Sequence, residues 1–129
     1  MYDELKEIQD VNNQDVIDAV WEKAIVVEGY NKELYRHDFA GAWIARAAYG
    51  DVNSNFGWEI DHVYPVDKGG DNHFVNLRPM QWKNNRSKGN DYPRYFAVVV
   101  AENNENIEKK ITCMVNSTLR AKLDELYKK

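Results

Sequence analysis

Cysteine is almost absent from this 129-residue chain, which contains only Cys113. A single cysteine excludes an internal disulfide, and it also excludes the paired Cys-x-x-Cys knuckles with which zinc holds small folds together. Long apolar runs are missing as well. The longest extends from Phe96 to Ala101, whereas a bilayer crossing takes roughly 20 apolar residues. The N-terminal sequence MYDELKEIQD is acidic, so we expect no signal peptide, no membrane span and a reducing, cytoplasmic setting.

Positive charge is scarce overall, because the formal net charge is -4. This balance argues against a chain that coats nucleic acid indiscriminately. The charges are unevenly placed, however. Residues 1–30 contain eight acids and two lysines, whereas residues 78–94 contain five cations and one acid. The C-terminal half therefore contains a basic segment, and the N-terminal segment presents an acidic face.

The rest of the composition, with 43% hydrophobic and 12% aromatic residues, is typical of one globular domain over residues 1–129. The patterning predicts an α+β fold. Residues 12–27 read as an acidic packing helix that Asn12 or Asn13 caps and Gly29 closes, because apolar residues recur at helical spacing with acids outside the stripe. The secondary structure of residues 30–57 stays open.

Two short strands and a helix are predicted within residues 57–90. The first strand covers residues 58–65, where apolar and polar residues alternate. The second covers residues 76–79, because a residue that precedes proline favours the extended conformation. A helix then begins between Pro79 and Trp82 and ends by Lys88. In residues 95–129, YFAVVVAE and IEKKITCMV predict a hairpin around NNEN, and a C-terminal helix follows with Asn116 or Ser117 as its cap.

This strand-strand-helix unit collects the residues that carry chemistry. A loop between two antiparallel strands brings His62 near Asn76, and a helix that folds back across the hairpin lets Asn85 face Asp61. The expected result is a pocket with a carboxylate, an imidazole and an amide oxygen. Lys88 shares a helical face with Asn85, so its ammonium group can take a phosphate oxygen.

The stretch resembles the HNH, or ββα-metal, endonucleases. Their pattern D-H-x-x-P, a Gly-Gly loop, N-L and N-[NR]-x-x-K appears here as IDHVYP, KGGDN, NLRPM and NNRSKGN. The resemblance implies that His62 is the general base, that Asp61 and Asn85 are the metal ligands, and that Asn76 steadies the hairpin or the histidine. It implies a zinc-free H-N-N variant in a bacterial or phage-infected cell.

The chemistry of these residues agrees with the resemblance. Phosphodiester hydrolysis needs an activated water, charge stabilisation at the phosphate and help for the leaving oxygen. A histidine takes the proton from water, and one Mg²⁺, or Mn²⁺ or Ni²⁺, held by oxygen ligands serves the other needs. We therefore expect a metal-dependent endonuclease that cleaves double-stranded DNA, with no structural zinc.

Several readings stay open beside this one. Arg78, Lys83, Arg86 and Lys88 are candidates for phosphate contact, although a solvated basic helix explains each one equally well. Trp58 and Trp82 are expected in a small core rather than stacked on bases, and Asn84 is expected to point away from the site. Cys113 is expected to be a buried apolar residue.

His73 and His37 are expected to have no role in the site, with His73 a solvated loop histidine. The rival functions are a catalytically silent HNH-fold module that binds DNA or protein, and a structural subunit whose acidic N-terminus docks a basic partner. The number of strands cut, the base sequence read, a homodimer and a partner protein that supplies specificity also stay open.

Overall fold

Short antiparallel hairpins and α-helices make up the computed structural model, which describes residues 2–128. The main elements in chain order are α1 (Gln14–Trp21), β1 (Tyr35–His37), β2 (Trp43–Ala45), β3 (Trp58–His62), β4 (Leu77–Gln81), α2 (Trp82–Lys88), β5 (Arg94–Glu102), β6 (Glu105–Met114) and α3 (Ser117–Tyr127). Each hairpin pairs consecutive strands, as β1-β2, β3-β4 and β5-β6. The mixed helix and strand content confirms the α+β prediction. Among the described residues, no helix has the length and apolar character that a membrane crossing requires.

Helix α1 begins where the sequence predicts but ends earlier. The Asn13 side chain accepts a hydrogen bond from the backbone N–H of Asp15, which makes it the N-cap. The predicted end near Val27 is wrong, because the helix stops at Trp21. Ile25 instead exchanges two backbone hydrogen bonds of 2.9 Å with His37. This pairing with β1 competes with continued helix, so Gly29 lies in a later turn and does not close α1.

The β3-β4-α2 unit follows the sequence prediction closely. Strands β3 and β4 are antiparallel with Asp61 opposite Arg78 and His62 opposite Leu77. Strand β4 extends to Gln81, two residues beyond the predicted end. The Gln81 side chain then caps α2 by accepting hydrogen bonds from the first backbone N–H groups of the helix. Helix α2 ends at Lys88 as predicted.

The predicted C-terminal hairpin and helix are also present. Strands β5 and β6 pair around a tight turn at Asn103 and Asn104, and Asn116 caps α3. The register of the hairpin shifts between Ala97 and Val99. The small β1-β2 hairpin lies within residues 30–57, whose secondary structure the sequence left undecided.

Two clusters of buried side chains form the core. One surrounds Trp21 and Trp58, whose ring centroids lie 5.6 Å apart, so Trp58 is a core residue as predicted. Trp82 is only partly buried, and its indole N–H donates to the Ser54 carbonyl. The second cluster contains Met80, Tyr95 and Leu123, and Cys113 packs against its edge while partly buried.

Candidate active site

Strand β3 carries the acidic and imidazole groups of the candidate site. Side chains alternate between the two faces of a strand, so Glu59 and Asp61 share one face while Trp58, Ile60 and His62 share the other. Helix α2 covers the face of Glu59 and Asp61, because its side chains contact both carboxylates. The carboxylates and the histidine are therefore presented to different neighbours.

Asp61 lies at the centre of a buried ion cluster formed with Arg78 and Lys88. The Asp61 carboxylate is 3.1 Å from Arg78 Nε and 3.3 Å from Lys88 Nζ, and the three side chains are at most 5% exposed. The Lys88 ammonium also donates to the His62 carbonyl over 3.3 Å. Burial lowers the pKa of Lys88, and the Asp61 carboxylate opposes that shift. The cluster joins β3, β4 and α2 through charge rather than apolar packing.

Asn85 contacts a different carboxylate from the one expected. Its amide nitrogen donates to Glu59, which shares a strand face with Asp61, over 3.1 Å. Lys88, three residues further along α2, is the helix residue that pairs with Asp61. Glu59 also pairs with Arg86 over 3.1 Å. Sequence reasoning missed Glu59, although its position two residues before Asp61 on a strand would have placed both on one face.

His62 contacts the loop that joins the two strands. Its Nε2 lies 2.7 Å from Oδ1 of Asn72. The backbone carbonyl of Asn72 accepts a hydrogen bond of 2.9 Å from the N–H of Ile8, so the N-terminal segment holds this loop. Sequence reasoning did not identify Asn72, because no local pattern indicates which loop side chain meets the histidine.

Asn76 braces the same loop from within. It is fully buried, its Oδ1 accepts from the Tyr64 N–H over 2.7 Å, and its Nδ2 donates to the carbonyls of Tyr64 and Asp71 over 3.0 Å each. These contacts agree with a role in steadying the hairpin. Its side-chain hydrogen bonds go to Tyr64 and Asp71 rather than to the imidazole of His62.

The four cations proposed for phosphate contact divide into two pairs. Arg78 and Lys88 are buried against Asp61, so neither can contact phosphate in this conformation, contrary to expectation. Lys83 and Arg86 do face solvent on α2, where the Trp82 ring lies 5.5 Å and 5.3 Å from their charged groups. Lys83 also pairs with Glu108 over 3.4 Å.

Two of the remaining polar residues have structural contacts. Asn84 points away from the site, as expected, and its Oδ1 accepts from the N–H groups of Val98 and Val99. His73 is not a solvated histidine, because its Nδ1 lies 2.6 Å from Asp71, which also accepts from the Tyr127 hydroxyl over 2.5 Å. Burial raises the pKa of Asp71, but hydrogen bonds from Tyr127 and His73 outweigh it and lower the pKa.

The oxygen atoms of three side chains are the candidate ligands for a metal ion. They belong to Glu59, Asp61 and Asn85, on the face of the hairpin that α2 covers. Within residues 2–128, no group of three or more His, Cys, Asp or Glu side chains has the spacing of a metal centre. A site here would therefore combine carboxylate and amide oxygens, which hard cations such as Mg²⁺ prefer.

Residues 49–94 match the family model described as HNH endonuclease. The match contains β3, β4 and α2 with Glu59, Asp61, His62 and Asn85, so this segment of the chain is similar to the HNH endonucleases. It supports nuclease-type chemistry on a nucleic acid, and HNH nucleases generally use a divalent metal ion. Comparison with curated proteins and with solved structures gave no match.

Proposed function

We propose that this protein is a metal-dependent endonuclease that hydrolyses phosphodiester bonds of double-stranded DNA. The observation that carries the proposal is that the HNH match coincides with a hairpin and helix that hold Asp61, His62 and Asn85. These side chains supply the base and the oxygen ligands that the reaction requires.

His62 is the proposed general base, and Asn72 selects the nitrogen that acts. With Oδ1 of Asn72 as the acceptor, the contact of 2.7 Å supports a tautomer that has its proton on Nε2 of His62. The lone pair is then on Nδ1, which takes a proton from the attacking water. Asn72 is consequently a positioning residue that fixes the tautomer and the ring orientation.

The oxygen donors fit a divalent cation in type, and Asp61 and Asn85 are the residues that would hold it. When bound, the cation would stabilise the charge of the phosphate and of the leaving oxygen. Asp61 is now paired with two cations, and a third positive charge beside them is unfavourable. We therefore propose that Lys88, which has the flexible stem, leaves Asp61 and turns to a phosphate oxygen.

A plasmid-nicking assay tests the proposal. Wild-type protein is incubated with supercoiled plasmid in Mg²⁺, Mn²⁺, Ni²⁺ or EDTA, beside His62→Ala and the control His73→Ala. We expect nicking that needs the metal ion, falls about 10²–10⁴-fold in His62→Ala and persists in His73→Ala. If wild-type protein is as inert as His62→Ala with all three metals, the proposed nuclease activity is refuted.

A catalytically silent HNH-fold module that binds DNA or protein is the alternative. The burial of Asp61 between Arg78 and Lys88 favours it, because a carboxylate neutralised in this way serves stability without any metal. Plasmid binding without nicking, unaffected by EDTA, would select the alternative.

A further inference from the structure

The β5-β6 hairpin contains an irregularity that places two lysines side by side. Ala97 is opposite Ile111 and Val99 is opposite Glu108, so Lys109 and Lys110 together oppose the single residue Val98. This is a β-bulge, a feature that redirects side chains and often lies next to functional sites. In a regular strand, two consecutive lysines would point to opposite faces.

Both lysines of the bulge are exposed and line one open depression of about 400 Å³. Lys83 of α2 also lines this depression. Glu108 is the acid present, and it is 3.4 Å from the Lys83 ammonium. Three lysines facing one acid give this depression a net positive charge, which suits a phosphate group.

The depression continues the exposed basic surface of α2. Lys83 and Arg86 lie three residues apart, which places them on one helical face, and Arg86 reaches Glu59 of β3 over 3.1 Å. At the other end, the Phe96 ring lies 4.6 Å from the Lys110 ammonium and 5.6 Å from the Arg94 guanidinium. We call these five residues the basic track: Arg86, Lys83, Lys109, Lys110 and Arg94.

We propose that the basic track binds the phosphate backbone of double-stranded DNA outside the catalytic unit, with Lys109 and Lys110 contacting phosphates in the depression. The inference rests on the proposed DNA substrate. It assigns DNA binding to a hairpin whose second strand lies wholly beyond the HNH match at residues 49–94. Such contacts add affinity and orient the duplex without reading its sequence.

Salt-dependent DNA binding tests this assignment. The full chain with His62→Ala binds a fluorescein-labelled 30-base-pair duplex in EDTA, and anisotropy is followed over a range of NaCl concentrations. Adding Lys109→Gln and Lys110→Gln should lower the affinity about tenfold to hundredfold at 100 mM salt. It should also reduce the slope of log K against log salt by about 1.8, because each phosphate contact contributes about 0.9.

Two further variants control for total charge. Lys122→Gln with Lys128→Gln removes the same charge from α3 and the residue that follows it, where these lysines pair with Glu4 and Asp124, and it should leave the slope unchanged. Glu108→Gln removes the acid from the depression and should strengthen binding. All variants should keep the thermal unfolding temperature of the His62→Ala parent, because the added substitutions are at exposed or surface-paired side chains.

The outcomes separate this inference from the proposed function. If the bulge variant binds like the α3 variant, the basic track is refuted while the nuclease proposal stands. If the bulge variant loses affinity but the wild-type protein never nicks plasmid, the track stands and the nuclease does not. Absence of DNA binding by the His62→Ala parent at low salt would overturn the basic track, and the nicking assay with metal ions would still decide the nuclease proposal.

Discussion

Replacing Asp61 by asparagine tests whether charge holds the centre of the β3-β4-α2 unit together. The substitution keeps the shape of the side chain and removes its negative charge. Arg78 and Lys88, whose side chains are 5% and 0% exposed, would then be two buried cations without their common partner. Arg78 cannot lose its proton in a protein, so its charge would stay buried.

The expected cost is large for a single substitution. Removal of one partner from a buried ion pair destabilises a protein by about 3–5 kcal/mol, since the other charge stays desolvated. Because two buried cations lose their partner, the cost of Asp61→Asn lies in the upper part of this range. Deprotonation of Lys88 limits the cost, because burial already lowers its pKa. For a chain of this size, the melting temperature should fall by about 10–20 °C.

Urea unfolding at pH 7, followed by tryptophan fluorescence, measures the change. Glu59→Gln is the matched control, because Glu59 lies on the same face but pairs with Arg86, which is 58% exposed, so we expect a loss of about 1 kcal/mol or less. Adding Lys88→Met to Asp61→Asn should recover part of the lost stability. If Asp61→Asn lowers the unfolding free energy no more than Glu59→Gln does, the ion cluster does not stabilise the fold as argued.

Two further predictions concern the residues around the site. Asn72→Ala should lower kcat for plasmid nicking by up to about 10²-fold with little change in KM, because the His62 ring loses its positioning partner. Asn72→Asp keeps the oxygen that contacts the ring and should retain activity. An equal loss of activity in both variants would contradict the positioning role of Asn72. Burial lowers the pKa of Lys23 to about 8 and Glu4 opposes the shift, so the unfolded chain, with its higher pKa, binds more protons between pH 8 and 10.5. The unfolding free energy of wild type relative to Lys23→Met should therefore rise over that pH range, and a flat difference would contradict the shift.

Local sequence signals account for the parts of the fold that were predicted. The Asn13 and Asn116 caps and the extended residue before Pro79 depend on neighbours in the chain. The end of α1 and the β1-β2 hairpin were not predictable in this way. They depend on the pairing of Ile25 with His37, which joins segments that no local pattern relates.

The same distinction between local signals and contacts of distant segments explains which parts of the candidate site were predicted. The motif indicated Asp61, His62, Asn76 and Asn85, because these residues stand at the intervals of the HNH pattern. It could not show that Lys88 would be buried, since lysines on a short helix usually face solvent. Nor could it show the burial of Arg78, whose guanidinium lies 5.4 Å from the Tyr95 ring of β5, in the hairpin beyond the motif.

A buried carboxylate outside the family match contacts the start of α2. Asp38, in the turn between β1 and β2, is fully buried. Its Oδ1 accepts from the N–H groups of Ala40 and Ala42, and its Oδ2 accepts from the Gln81 N–H and the Asn84 amide. The β1-β2 hairpin is thereby joined to the start of α2, the helix that carries Asn85 and Lys88.

The β3-β4-α2 unit is in this way supported by segments on both sides of it in the chain. The N-terminal segment holds the loop of Asn72 through Ile8, and α3 reaches the same loop through Tyr127. The β1-β2 turn fixes α2, and β5 covers Arg78. Each contact acts on a different residue near the site, so the geometry at Asp61 and His62 depends on the whole chain. An excised fragment of residues 49–94 would lose all four supports.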